Sequence, residues 1–90
     1  MKYRFKAGEN YWKKFYQLSP RQKESVRQKW VIFKLDPFDA RLGMHRINKL
    51  SSRFNKTVYS VVIELDLRAV FYLEGDTVWT VDIGTHSLYR

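Results

Sequence analysis

The chain contains no cysteine. That absence removes disulfide frameworks, thiol nucleophiles and thiolate zinc sites together. Histidine is nearly as scarce, with only His45 and His86. A histidine-based metal centre would need much carboxylate help, and side chains that titrate near neutral pH are few. No apolar run approaches the ~20 residues of a membrane span. Residues 1–9 are polar and lack the apolar stretch of a secretory leader. With 90 residues, the chain is expected to form a single domain, 1–90, burying roughly 60–65% of its unfolded surface. That size excludes a doubly wound dinucleotide-binding architecture. The expectation is a soluble cytoplasmic protein with no metal, no cofactor and no membrane partner.

What is present is mostly hydrophobic and basic. Hydrophobic residues make up 44% of the chain and aromatics 17%, a folded rather than a disordered composition. The net charge is +8, and it is unevenly placed. Residues 1–56 carry fifteen lysines and arginines against four acids, for +11, whereas residues 57–90 carry −3. A basic segment beside a near-neutral one points to a polyanionic partner, nucleic acid or an acidic protein.

Local patterns place the elements. Tyr3-Arg4-Phe5-Lys6 alternates apolar and basic residues, which reads as a short strand. Residues 9–18 put Tyr11/Trp12, Phe15 and Leu18 at helical spacing. Ser19-Pro20-Arg21-Gln22 reads as a capping box with proline at the first helical position. The second helix is expected to run from Pro20 to about Leu35, with Val26, Trp30 and Phe33 as its buried stripe, and to end at Asp36-Pro37. The aromatics Trp12, Phe15, Trp30, Phe33, Phe71 and Trp79 read as core, and Lys13-Lys14 as a solvated helix face. Residues 36–57 show no clear period and read as a long basic loop, with His45-Arg46-Ile47 as a short extended piece.

From Val58 onward the chain is β-rich. Val58–Leu65, Arg68–Leu73 and Thr77–Asp82 are expected as three antiparallel strands. Keeping polar groups off the core face favours three-residue loops at 65–67 and 74–76. Phe71 then pairs with Trp79, Ala69 with Val81, and Val61 with Phe71. On the other face Glu64, Arg68 and Asp82 fall in one row. A cation between two carboxylates is either a salt-bridge ladder or an anion site held by its neighbours.

The order of a short strand, a two-helix hairpin, a basic loop and a three-stranded meander makes an α+β chain. Asp36-Pro37, the 41–56 loop, Asp66-Leu67-Arg68-Ala69-Val70-Phe71 and Asp82-Ile83-Gly84-Thr85-His86-Ser87-Leu88-Tyr89 resemble the RelE/ParE superfamily of bacterial toxins. The resemblance implies the toxin of a type II toxin–antitoxin system, a ribosome-dependent mRNA interferase, which is a metal-free endoribonuclease. In that chemistry a base deprotonates the ribose 2′-OH, which attacks its own phosphate, and an acid protonates the leaving 5′ oxygen. Carried over by position, Arg68 would bind the scissile phosphate and His86 would transfer protons. Tyr89 would stack on a base or act as an acid, and His45 is a further catalytic candidate. Arg46, Lys49, Arg53 and Lys56 would contact RNA, with Glu64 and Asp82 supporting Arg68.

Some superfamily members carry lysines on the exposed face of the second strand of the chain, the first of the meander. Here that face offers Ser60, Val62 and Glu64, so a lysine acid–base pair is missing and the expectation moves to His86. Each residue has a plainer reading beside this one: His86 as a strand exit, His45 as a loop histidine, Tyr89 as packing. The implied partners are a small cognate antitoxin, mRNA and the ribosome, with operator DNA met only through the antitoxin. Two alternatives stay open, a ParE-like toxin acting on DNA gyrase and a catalytically degenerate member that only binds its antitoxin.

Overall fold

Ser19 starts the longest helix. In a computed structural model, which describes residues 3–85, helix α2 spans Pro20–Leu35. The Ser19 hydroxyl accepts from the Gln22 amide at 3.2 Å, and the Ser19 amide donates to Gln22 Oε1 at 3.0 Å. This reciprocal pair satisfies two donors that a bare helix end would leave open. At the other end Asp36 is extended, and its carboxylate accepts from the Phe38 amide. Before α2 come strand β1 (Arg4–Ala7) and helix α1 (Glu9–Phe15), shorter than the sequence pattern suggests. After it, a 3-10 turn (Ala40–Leu42) leads into β2 (His45–Arg46) and helix α3 (Asn48–Phe54). Strands β3 (Val58–Glu64), β4 (Leu67–Glu74) and β5 (Thr77–Gly84) complete the chain.

The five strands form one sheet in the order β1-β5-β4-β3-β2, with β1 parallel to β5 and the other pairs antiparallel. The expected meander is therefore its centre, flanked by a strand on each side. The region read as a loop holds a real helix, α3. Its apolar positions Ile47, Leu50 and Phe54 sit at helical spacing, but the helix is only seven residues long. Gly43 sets the turn into β2: its φ is +55°, and a Cβ there would lie 3.0 Å from the Val62 side chain.

The strand registers differ from the sequence expectation, for one physical reason. Both hairpins close with two residues instead of three, and bulges absorb the difference. Gly75, at φ +62°, opens a tight turn in which Glu74 pairs with Thr77. Positive φ at the first central residue is what a II′ hairpin needs. Phe71 therefore faces Thr80, the pairing that burial alone disfavours. Past it the register shifts, so that Val70 pairs with Asp82, Ala69 with Ile83 and Arg68 with Gly84. The bulge takes Asp82 off the core face. In the other hairpin Glu64 pairs with Leu67, with an irregularity between Val62 and Glu64, and Val61 pairs with Ala69. Leu67, expected in the loop, is buried, whereas Leu65 is 91% exposed at the turn.

The sheet divides the molecule into two unequal cores. On one face α1 and α2 pack Tyr11, Val26 and Phe33 against Val61, Ala69, Phe71, Val78 and Ile83. Phe33 stands edge-on to Phe71, centroids 5.0 Å apart. The other face carries a small cluster of Ile47, Leu50, Val58 and Val70 under α3. Two aromatics depart from their expected core role. Trp12 is 43% exposed, with Tyr11 buried in its place. Trp79 lies outside both clusters, half-buried under the Lys6 ammonium 5.4 Å above its ring.

Candidate nucleic-acid interface

The site is built on the sheet face opposite the helix hairpin. Cross-strand pairs define two neighbouring rows on it. One runs His45–Ser60–Val70–Asp82 and the next runs Val62–Arg68–Gly84. Alternation along β4 puts Arg68 with Val70, away from Phe71. The half-buried Arg68 thus lies on the face expected for it.

The expected row of Glu64, Arg68 and Asp82 does not form. The bulges place Arg68 opposite Val62 and Gly84 instead. Each carboxylate is committed to a helix. Glu64 accepts from the Ser25 hydroxyl at 2.5 Å and from Arg21 at 3.4 Å, both on α2. Asp82 pairs with Lys14 of α1 at 2.8 Å. Lys14 is thus tied to the sheet rather than solvated, a link that the sequence pattern does not reveal. It depends on β1 pairing with the first half of β5, which leaves α1 beside the second half.

Helix α3 is fastened to this face by one serine. Ser51 Oγ donates to the Ile47 carbonyl and accepts from the Val58 amide, both at 2.8 Å. Asn55 closes the helix at φ +55°. Arg46, Lys49 and Arg53 are exposed along the segment, and Lys49 and Arg53 stand one turn apart on the same side. Lys56 behaves differently. Its ammonium contacts Glu74 at 2.7 Å and lies over the Tyr72 ring. The hydrogen bond to Glu74 raises its pKa, which keeps the ammonium charged and paired with that carboxylate. An open polar depression of about 480 Å³ between β2 and α3 is lined by Arg46, Asn48, Ser52 and Lys56 among others.

His45 is exposed at the start of β2, opposite the fully buried Ser60. Strand spacing and rise put its Cα roughly 12 Å from that of Arg68 on the same face. His86 and Tyr89 lie outside the described residues. The strand that leads to them ends at Gly84, next to Arg68. Among the described residues no helix is long and apolar enough to cross a membrane.

No protein-family model matches the sequence, and no curated protein gives a significant match. Solved structures do match. The archaeal RelE–RelB complex from Pyrococcus horikoshii superposes with a TM-score of 0.73 at 12% identity, over 94% of this chain and 96% of that one. The Escherichia coli DinJ–YafQ toxin–antitoxin complex gives 0.71 at 12% identity, over 98% and 97%. A copper-bound mutant toxin from Helicobacter pylori gives 0.67 at 15% identity, over 98% and 99%. Over nearly its whole length, the chain has the RelE-like α+β fold.

Proposed function

We propose that this chain is the toxin of a type II toxin–antitoxin pair and that it cleaves mRNA on the ribosome. The observation that carries the toxin reading is full-length likeness to folds crystallised as RelE–RelB and DinJ–YafQ complexes. The cleavage reading is supported by Arg68 on the sheet face opposite the helix hairpin, one row from Asp82 and beside the end of the strand that runs on to His86. Arg68 supplies a fixed cation for charge that builds on the scissile phosphate. His86 exchanges protons with the 2′ and 5′ oxygens, and Tyr89 stacks on a base or donates a proton. His45, a row away, is an auxiliary group. Arg46, Lys49 and Arg53 bring cations to the RNA. The cognate partner is a small acidic antitoxin covering the 41–56 segment and the Arg68 face, steered there by charge.

The test is induction without antitoxin, with mapping of mRNA ends and of gyrase-linked DNA breaks. Cleaved mRNA is expected, and His86→Ala should lower the cleavage rate ~10²–10⁴-fold while the protein stays folded. Arg68→Ala should also disarm it. Full cleavage by folded His86→Ala would return His86 to a structural role. Gyrase-linked breaks without mRNA cleavage would turn the reading to the ParE-like alternative.

A further inference from the structure

Beside the Arg68 row, α1, α3 and β5 enclose a cleft of about 250 Å³. That is just under the ~300–1,000 Å³ of drug-sized ligand pockets, and a nucleobase is smaller than such ligands. Val70 and Val81 form its apolar floor, and Asn10, Arg53 and Asp82 bring polar groups to its wall. Phe54, 40% exposed, stands at the lip with its ring tilted against Tyr72 at 6.1 Å. The bulge at Val81 creates the cleft, since it turns Asp82 out of the core and onto this face.

We propose that this cleft binds one guanine base of the RNA, the base of the nucleotide next to the scissile phosphate. The proposal rests on the RNA-cleaving reading and deepens it. Two observations select the ligand. The first is position: the Val70–Asp82 pair is the row next to Arg68–Gly84, two residues or ~6.6 Å along the strand. A phosphate at Arg68 and a base in the cleft can therefore belong to adjacent nucleotides. The second is the polar complement. Asp82 Oδ1 already accepts from Lys14 at 2.8 Å and from the Ile83 amide at 2.9 Å, which fixes the carboxylate and, among the described residues, leaves Oδ2 as the acceptor for a ligand. Guanine presents two adjacent donors, N1–H and the N2 amino group, to a carboxylate, and two acceptors, O6 and N7, to a guanidinium such as Arg53. Adenine and cytosine set a ring-nitrogen acceptor beside their amino group, and uracil flanks its one N–H with carbonyls. Each would put a lone pair against Asp82. Phe54 supplies the stacking surface that single-stranded RNA recognition uses.

The test is methyl NMR titration of the purified chain with GMP, AMP, CMP, UMP and trinucleotides differing only in a central G or A. The Val70 and Val81 methyls are expected to shift with GMP. Guanine ligands should bind about 10-fold tighter than the others, the low end of what one bidentate base contact provides. The G trinucleotide should bind tighter than GMP. Asp82→Asn should erase the preference. Arg53→Met, at an exposed position that leaves the Lys14–Asp82 pair intact, should weaken it as well. Equal affinity for all four nucleotides, or shifts confined to other residues, would overturn the proposal. Binding of GMP as tight as the trinucleotide would make the ligand a free nucleotide and overturn the RNA assignment. Mapped ends separate this inference from the reading beneath it. Cleavage with no guanine preference beside the cut sinks the base pocket alone. Selective guanine binding without mRNA cleavage in a translating extract sinks the nuclease reading alone.

Discussion

Thr80 faces the main core with its Oγ1 fully buried and, among the described residues, without a hydrogen-bond partner. The adjoining void, about 10 Å³, is at the lower limit for one water. The tight turn at Gly75 forces this placement, and the bulge that follows spares Asp82 the same fate. An unpaired buried hydroxyl costs about 1–3 kcal/mol, and an apolar group of the same shape avoids the cost. Thr80→Val is therefore expected to raise stability by about 1 kcal/mol, read as a higher urea midpoint at unchanged slope. A lower midpoint would mean that the hydroxyl has found a partner. Tyr11 gives a second residue-scale test. Burial pushes its phenol up to about 12 from an ordinary 10. A raised folded value means the neutral form is favoured by folding. Its contribution is complete below pH 10 and is lost as pH rises toward 12. Tyr11→Phe should lose less stability than wild type between pH 10 and 12, by denaturant midpoints at each pH. Parallel curves would contradict the burial argument.

Helix α3 shows how an element can depend on a single polar side chain. Its second core is small, and Ser51 joins the residue before the helix to the first residue of β3. Ser51→Ala leaves the buried Val58 amide without its acceptor, while the Ile47 carbonyl keeps the Ser51 amide, which should cost roughly 1–3 kcal/mol. Hydrogen exchange at the Val58 amide should quicken more than at Phe71 if α3 loosens first. Uniform quickening would show that α3 opens only with the whole fold. The same element marks what a sequence can and cannot tell. The ends of α2 were legible because Ser19, Pro20, Gln22 and Asp36 act within one turn of their own backbone. The face of Arg68 was legible too, since alternation along β4 is local. The α3 helix was not, because its small core is completed by Val70, far along the chain. Strand registers failed at Val81 and Ile63, where bulges reconcile two-residue turns with burial. The guanine cleft was hidden for the same reason: Asn10 and Asp82 meet only through the long-range pairing of β1 with β5.

At the scale of the whole molecule, the +11 of residues 1–56 is not equally available. Lys14, Arg21 and Lys56 are spent on Asp82, Glu64 and Glu74. Arg41 is spent on Asp39, whose carboxyl the Arg41 side chain lowers to about 2. Lys49 and Arg53 stay exposed on α3 beside the proposed site. If RNA lies along that face, each cation that meets a phosphate releases counterions. The logarithm of affinity then falls with the logarithm of salt by about 0.7 per contact on a single strand. Lys49→Ala should lower the slope by about that amount, and Arg53→Ala should do the same on an oligonucleotide without guanine, where Arg53 has no base edge to pair with. Lys56→Ala should lower it by clearly less, because Glu74 already accompanies that ammonium. The measurement is fluorescence anisotropy of a 2′-deoxy-substituted oligonucleotide, which cannot be cut through its 2′ oxygen, over a salt series. The sequence alone treats Lys49, Arg53 and Lys56 as equals, so the contrast among them tests the structure itself. An equal drop for all three would mean that RNA displaces the Lys56–Glu74 pair. No drop for Lys49 or Arg53 would move the RNA path off α3.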